Sequence, residues 1–123
     1  MRALVIDDSR AMRAILTRQM DRLGFDVAQA FDGRDALDLL DAGYRPDVAL
    51  VDWSMPRMDG LTFIKAVRAR DDLREVALMM VTTESEQQNI VRALAAGAHE
   101  YVIKPFTQEV IVGKLALLGL VGV

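Results

Sequence analysis

The sequence predicts an α/β fold in which parallel strands form one sheet and helices cover both of its faces. Short apolar runs alternate with amphipathic helical patterns along all 123 residues, with no linker or repeat between them. Regular alternation of this kind favours a parallel sheet packed between helices. Three of the apolar runs also end in charged residues, at the position where such sheets collect their ligands. We therefore expect one domain over residues 1–123.

The first unit is a strand at residues 2–6, rich in Leu, Val and Ile, followed by a helix at residues 10–23. Ser9 is placed to cap the N-terminus of this helix, and Gly24 to end it in the left-handed conformation. One face of the helix is apolar at helical spacing and contains Met12, Ile15, Leu16, Met20 and Leu23.

The second and third units follow without a break. A weaker strand at residues 26–30 precedes a helix at residues 33–41, which Asp32 can cap and which stops near Gly43. The run at residues 48–52 is apolar almost throughout, as in a strand buried on both faces.

The last units show the same signals. A loop with proline and glycine leads to a helix at residues 61–70, and a strand is expected at residues 77–82. Thr83 and Glu86 have capping-box spacing for a helix that ends at Gly97. A fifth strand is expected at residues 99–103, and a last helix from Thr107 to about Leu118.

The composition excludes several classes of function. A net charge of −3 gives no basic surface for nucleic acid. The absence of cysteine removes disulfides and thiolate chemistry and fits a cytoplasmic protein, and no secretory signal precedes the first strand. The most apolar stretch, Val110 to Val123, is too short to cross a membrane, which takes about 20 residues.

Charged side chains stand where three of the strands end. Asp7 and Asp8 follow the first strand, Asp52 ends the third, and Lys104 follows the fifth. A single Asp in such a place is commonly a helix cap, but the whole set at corresponding ends predicts one site. Clustered carboxylates need a cation, and oxygen ligands favour a hard one, Mg²⁺ with Mn²⁺ as the alternative. We expect Asp8, Asp52 and the backbone carbonyl of Ser54 in its inner shell, with Asp7 acting through water.

A carboxylate beside such a metal can attack phosphorus and become an acyl phosphate. Asp52 is the candidate acceptor, with the Lys104 ammonium and the Thr82 hydroxyl placed to stabilise the phosphoryl oxygens. No residue near these positions is a strong general base. We therefore expect slow hydrolysis, which suits a timer rather than a turnover enzyme.

These segments together resemble the receiver domains of two-component response regulators over essentially the whole chain. The matching stretches are Val5 to Ser9, Val51 to Leu61, Val81 to Glu84, Ala96 to Ala98 and Tyr101 to Thr107. The resemblance implies a flavodoxin-like sheet of strand order 2-1-3-4-5. It also implies that a histidine kinase phosphorylates Asp52, that Asp7 and Asp8 hold Mg²⁺, that Lys104 contacts the phosphoryl group, and that the bond into Pro105 is cis.

Within the family, the chain is most similar to the single-domain chemotaxis regulators, on Trp53, Glu84, Asn89, Ile90 and Tyr101. The resemblance implies that Thr82 and Tyr101 form a switch pair that repacks the surface of helix four, strand five and helix five. Glu84, Asn89 and Ile90 would lie on or near this surface. Because we expect no output domain after Val123, the surface itself would signal, with the flagellar motor switch as the implied partner.

Two departures from the family pattern stand out. Ser54 occupies a position that is commonly asparagine in chemotaxis proteins and faces the phosphoryl group, so the rate of hydrolysis is open. The last helix is unusually apolar, which predicts either close packing on the sheet in a monomer, the expectation we favour, or a homodimer interface.

Other functions remain open from the residues alone. A stand-alone receiver could act as a phosphorelay intermediate or phosphate sink, passing phosphate from Asp52 to a histidine on another protein. A Mg²⁺-dependent phosphatase is disfavoured because the second acid that such enzymes carry two residues past the nucleophile is replaced by Ser54. A dinucleotide-binding fold lacks its glycine-rich turn after the first strand.

Overall fold

The computed structural model, which describes residues 1–83 and 87–120, contains one five-stranded parallel sheet in the order β2-β1-β3-β4-β5. This confirms the predicted α/β fold and its strand order. The strands are β1 Arg2–Ile6, β2 Asp26–Ala30, β3 Val48–Asp52, β4 Ala77–Thr83 and β5 Glu100–Lys104.

In these described ranges, five helices connect and follow the strands: α1 Arg10–Arg22, α2 Gly33–Asp41, α3 Gly60–Arg68, α4 Gln87–Ala96 and α5 Gln108–Leu117. Predicted and observed boundaries agree within two residues wherever both lie in the described part of the chain. A short 3₁₀ turn at Asp71–Leu73 was not predicted. The predicted capping box of α4 depends on Glu86, which lies outside the described residues.

The sheet has two apolar faces because side chains alternate along each strand. On β1, Leu4 and Ile6 lie on one face and Ala3 and Val5 on the other. Helices α2, α3 and α4 pack on the first face through Leu37, Leu40, Phe63, Ile64, Val67 and Ala93. Helices α1 and α5 pack on the second face through Leu16, Met20, Ile111 and Leu115.

Side-chain caps start four of the helices at the C-terminal edge of the sheet. Ser9 and Asp32 accept hydrogen bonds from backbone N–H groups in α1 and α2, as the sequence predicts, and Thr107, the predicted start of the last helix, caps α5 in the same way. Asp59 caps α3 by accepting from the N–H of Thr62 at 2.8 Å, so this helix begins at Gly60. The caps place rigid helix starts around the strand ends where the charged residues lie.

Helix α5 docks on the sheet through Ile111 and Leu115, which are fully buried. Its outer side nevertheless exposes apolar residues, with Leu117 73% and Val110 41% accessible to solvent. The helix therefore packs on its own domain, as expected, and also presents an apolar outer side. In the described part of the chain, no helix has both the length and the apolar character needed to cross a membrane.

Candidate functional site at the carboxyl edge of the sheet

Three strand ends deliver charged groups to one place. One carboxylate oxygen from each of Asp7, Asp8 and Asp52 lies within 4.8 Å of the others. The parallel register brings this about, because Ile6 is aligned with Val51 and the chain continues from each directly into an aspartate. The convergence follows from topology, since parallel strands end at the same edge.

Lys104 joins two of these carboxylates. Its ammonium nitrogen lies 3.0 Å from Oδ1 of Asp52 and 3.4 Å from Oδ2 of Asp7. Burial disfavours the charge on Lys104, but the hydrogen bonds and charges of Asp52 and Asp7 together outweigh it, so the pKa of this ammonium is raised above its usual value. Lys104 is therefore a firmly held cation directly beside the Asp52 carboxylate.

The environment of Asp52 disfavours its charged form. Burial is the largest cause, and the negative charges of Asp7 and Asp8 act in the same direction. The hydrogen bond from Lys104 opposes them, and the net result raises the pKa of Asp52 to about 6. One ammonium among three carboxylates leaves an excess of negative charge that only another cation can balance.

This donor set fits Mg²⁺. It consists of carboxylate oxygens, which hard divalent ions prefer, and it holds no softer ligand. Asp8 is exposed and Asp52 is 7% accessible, so the site opens to solvent on the side of Asp8. Asp7, Asp8 and Asp52 would hold the ion.

The loop after β1 fixes Asp7 from several directions. Its N–H donates to the carbonyl of Ala30 at 3.2 Å, and its Oδ1 accepts from the N–H of Ser9 at 2.8 Å. Arg13 donates to the carbonyl oxygen of Asp7 at 2.7 Å from the first turns of α1. Sequence reasoning missed Arg13, because an arginine on a helix carries no local signal that it turns back to the preceding loop.

The loop after β3 packs closely against the backbone of Asp52. Gly60 N–H donates to the carbonyl of Trp53 at 2.8 Å, and a Cβ at Gly60 would lie 2.5 Å from the Asp52 carbonyl oxygen. Only glycine allows this approach. Ser54 lies exposed in the same loop, and its role as a carbonyl ligand stays a prediction. The Lys104–Pro105 bond is cis, as the family resemblance implies.

Thr82 and Tyr101 lie on the same face of the sheet. Thr82 is fully buried, one residue beyond Val81, which is aligned with Asp52. Tyr101 is aligned with Met80 and packs partly buried against the α2–α3–α4 face. The Thr82 hydroxyl therefore lies on the strand that neighbours the acceptor Asp52. The Tyr101 ring lies on the edge strand, further from the end of the sheet where Asp52 lies.

Lys114 of α5 covers the outer side of Tyr101. Its ammonium nitrogen lies 4.3 Å from the centre of the ring and 2.9 Å from Oε1 of Glu100. This contact was not predicted, because the two residues belong to different elements and the motif that contains Tyr101 does not include Lys114. It links the edge strand to the last helix.

Two other predicted residues belong to α4. Asn89 is half-buried on α4, whereas Ile90 is buried, so Ile90 lies beneath the outer surface rather than on it. Glu84 lies outside the described residues. His99, the single histidine of the chain, precedes β5 at the end opposite Lys104 and accepts from the N–H of Leu78 at 3.1 Å.

Comparison with known proteins agrees with this geometry. Residues 3–116 match the family model described as the response regulator receiver domain. The chain belongs to the response regulator receiver family. This receiver domain is 41% identical over 119 residues to the chemotaxis protein CheY1 of Helicobacter pylori, and the match covers 96% of both chains.

Two further comparisons support the same assignment. A chemotaxis protein CheY homolog of Campylobacter jejuni is 42% identical over 116 residues, covering 94% of this receiver and 89% of the relative. The solved structure of chemotaxis protein CheY4 of Vibrio cholerae superposes with a TM-score of 0.86 at 33% identity, covering 94% of this chain and 96% of that one. The receiver is thus similar to chemotaxis regulators of about its own length.

Proposed function

We propose that this receiver is a phosphorylation-activated switch of a two-component system and that it acts in chemotaxis. Asp52 accepts a phosphoryl group from a phosphohistidine of a histidine kinase in the cytoplasm. The observation that carries the proposal is the convergence of Asp7, Asp8 and Asp52 within 4.8 Å, with the Lys104 ammonium 3.0 Å from Asp52. The similarity to chemotaxis regulators supports the pathway.

In the transfer step, a carboxylate oxygen of Asp52 attacks phosphorus as the P–N bond to the donor imidazole breaks. The new P–O bond makes an acyl phosphate, and the imidazole leaves with the electron pair of the broken bond. Lys104 keeps its proton and its charge, because its raised pKa holds it as an ammonium while negative charge gathers on the phosphoryl oxygens. Bound Mg²⁺ would neutralise the carboxylates and the transferring group.

The chain's own residues favour a long-lived product. Lys104 beside Asp52 is a cation, and the carboxylates of Asp7 and Asp8 would be occupied by the metal, so none of these three residues is free to activate water. Thr82, which is buried one residue beyond the partner of Asp52 on the neighbouring strand, would donate a hydrogen bond to a phosphoryl oxygen. We infer that the acyl phosphate decays slowly, and that the domain reports a signal rather than turning over a substrate.

The output surface is formed by α4, β5 and α5. Several apolar residues there are exposed: Val91 is 70%, Leu94 41% and Leu117 73% accessible. Tyr101 lies partly buried between the site and this surface. Movement of Thr82 toward a phosphoryl group would leave space for the ring, and so change what the surface presents. The proposed partner is the flagellar motor switch protein.

Incubation with acetyl phosphate and Mg²⁺, read by intact mass, tests the chemistry. The parent is expected to gain one phosphoryl group and Asp52→Asn none. A parent that gains no mass, or a variant that gains as much, would overturn the proposal.

Binding of the beryllofluoride-treated receiver to motor-switch peptides tests the output. Tighter binding than that of the untreated protein is expected, and equal binding contradicts the motor assignment. Rapid return of phosphate to a histidine phosphotransfer protein, without motor-switch binding, would instead identify a phosphorelay intermediate or phosphate sink.

A further inference from the structure

The loop between β3 and α3 contains a strained arginine. Arg57 has φ +62°, and among the described residues it is the one non-glycine residue in the left-handed region. The N–H of Met58 donates to the carbonyl of Pro56 at 2.6 Å, which closes a γ-turn around Arg57. An L-residue persists in such a turn only where its surroundings hold it.

Two aspartates at the N-terminus of α2 hold Arg57 in this conformation. Nε and an Nη of Arg57 donate to the two carboxylate oxygens of Asp32 at 2.7 and 3.1 Å. The same Nη donates to Oδ1 of Asp35 at 2.8 Å. The fork of the guanidinium thus matches one carboxylate in bidentate fashion and reaches a second, a geometry that fixes direction as well as distance.

Asp32 is an unusual partner because its side chain is fully buried and already caps α2 through the N–H of Asp35 at 2.9 Å. Burial, the largest single influence, raises the pKa of Asp32, but the hydrogen bond and charge of Arg57 and the backbone N–H donors at the start of α2 together outweigh it, so the pKa is lowered. Asp32 therefore stays ionised, and Arg57 is its charged partner. The pairing joins a buried anion on one loop to a strained residue on another.

Two other contacts connect the pair of Arg57 and Asp32 to the metal and phosphoryl site at Asp52. Met58 packs on the first turn of α2, where a Cβ at Gly33 would lie 2.9 Å from Met58 Cγ. At the end of the same loop, Gly60 rests on the Asp52 carbonyl. Ser54 therefore lies between Asp52 and a segment that α2 anchors.

We propose that Arg57 is a positioning residue for the metal and phosphoryl site, acting through Asp32 and Asp35 to hold the loop 53–59 in its ligand-binding shape. The inference rests on the proposed function, since it concerns the affinity of that site for Mg²⁺. Residues that orient a metal site from outside the ligand shell commonly change metal affinity by about 10- to 100-fold when they are lost. Through Arg57, α2 would help to position the loop that forms the metal and phosphoryl site.

The charge of Arg57 makes the test decisive. Removing a positive charge near a cation site strengthens cation binding through the Coulomb interaction. Loss of positioning weakens binding instead, so the two effects of Arg57→Gln have opposite signs. The double variant Arg57→Gln/Asp32→Asn removes one charge of each sign, leaves no unpaired buried anion, and keeps an Asn that can cap α2.

Mg²⁺ titration of the metal-free proteins provides the measurement, read by the fluorescence of Trp53, the single tryptophan. We expect the Kd to rise about tenfold in Arg57→Gln and in the double variant, with partial recovery in Arg57→Lys. The matched control is Arg34→Gln, which removes a positive charge from α2 and breaks its pair with Asp38 at 3.1 Å. It should leave the Kd unchanged or slightly lower.

An unchanged or tighter Kd in both Arg57→Gln and the double variant would overturn the inference while leaving the proposed function in place. A parent that binds no Mg²⁺ would overturn the proposed function, and the inference with it. Amide hydrogen exchange without metal gives a second readout. Exchange within residues 54–58 should be faster in the double variant than in the parent, and equal exchange rates would contradict the positioning role.

Discussion

Lys104 contacts Asp52 at 3.0 Å although their strands are not neighbours, since β4 lies between β3 and β5 in the sheet. The long lysine side chain crosses the end of β4 to reach the acceptor. The edge strand is therefore connected directly to the chemistry at the centre of the sheet. A change at Asp52 has a short physical path to β5, which also holds Tyr101.

Replacing Lys104 with Met should impair the acceptor while keeping much of the apolar stem. Without its cation, the pKa of Asp52 should rise above its value of about 6, because burial and the charges of Asp7 and Asp8 are then unopposed. Phosphorylation by acetyl phosphate should slow by about 100-fold, as for loss of a preorganised charged donor. Carboxyl NMR titration and intact-mass kinetics measure the two effects. Lys104→Arg keeps the charge, so its phosphorylation rate should lie between those of the parent and Lys104→Met. A parent-like rate in Lys104→Met would contradict the role of Lys104 in stabilising the phosphoryl group.

The raised pKa of Asp52 makes stability depend on pH. Its value is about 6 in the folded protein and about 3.9 in an unfolded chain. The folded state therefore binds more protons between these values, so this group lowers stability as pH rises from about 4 to 6.

Asp52→Asn removes this dependence. In metal-free buffer the variant should be more stable than the parent at pH 7, and the difference should shrink toward pH 4. Urea unfolding at both pH values, with EDTA present, gives the comparison. Glu75→Gln, a change at an exposed acid, serves as the control and should show no comparable trend. If the free energies of unfolding of the parent and Asp52→Asn differ by the same amount at both pH values, the pKa of Asp52 is not raised.

Two glycine-to-alanine changes should have opposite effects on stability. A Cβ at Gly60 would meet the Asp52 carbonyl oxygen at 2.5 Å, so Gly60→Ala must displace the loop and should destabilise by about 1–3 kcal/mol. A Cβ at Gly113, within α5, meets nothing within 4 Å, so Gly113→Ala should stabilise by about 0.5–1 kcal/mol. Chemical denaturation measures both changes. Equal effects would mean that the approach of Gly60 to Asp52 is looser than described.

The contact between Lys114 and Tyr101 should be measurable as a coupling free energy. A double-mutant cycle with Lys114→Met and Tyr101→Leu separates it from the pair that Lys114 forms with Glu100. We expect a coupling of about 0.5–1 kcal/mol, typical of a cation over an aromatic face at a partly exposed site. Unfolding of the four proteins by urea gives the value. A coupling indistinguishable from zero would remove Lys114 as a link between β5 and α5.

The sequence was sufficient for the fold because each strand–helix unit carries its own local signals. The caps Ser9, Asp32 and Thr107 and the apolar run of β3 each depend on a few adjacent residues. The meeting of Asp52 with Lys104 was also predictable, since it follows from parallel topology alone.

The contacts that were missed have a different origin. Arg57 and Asp32 are 25 residues apart, and the sequence predicts Asp32 only as the cap of α2, with no sign that it also binds an arginine. The Arg13 side chain points back to the loop before its own helix, and its partner is a backbone carbonyl, which residue types do not predict. Such contacts depend on side-chain direction in the folded molecule, which residue spacing does not encode.

Four helices are followed by glycines in the left-handed region, Gly24, Gly43, Gly97 and Gly119, all at the edge of the sheet remote from Asp52. In this receiver the left-handed glycines and the reactive groups thus occupy opposite rims. Protein engineers can exploit this separation: thermal tolerance can be adjusted at one rim by altering its turns, while the lifetime of the signal is tuned at the other.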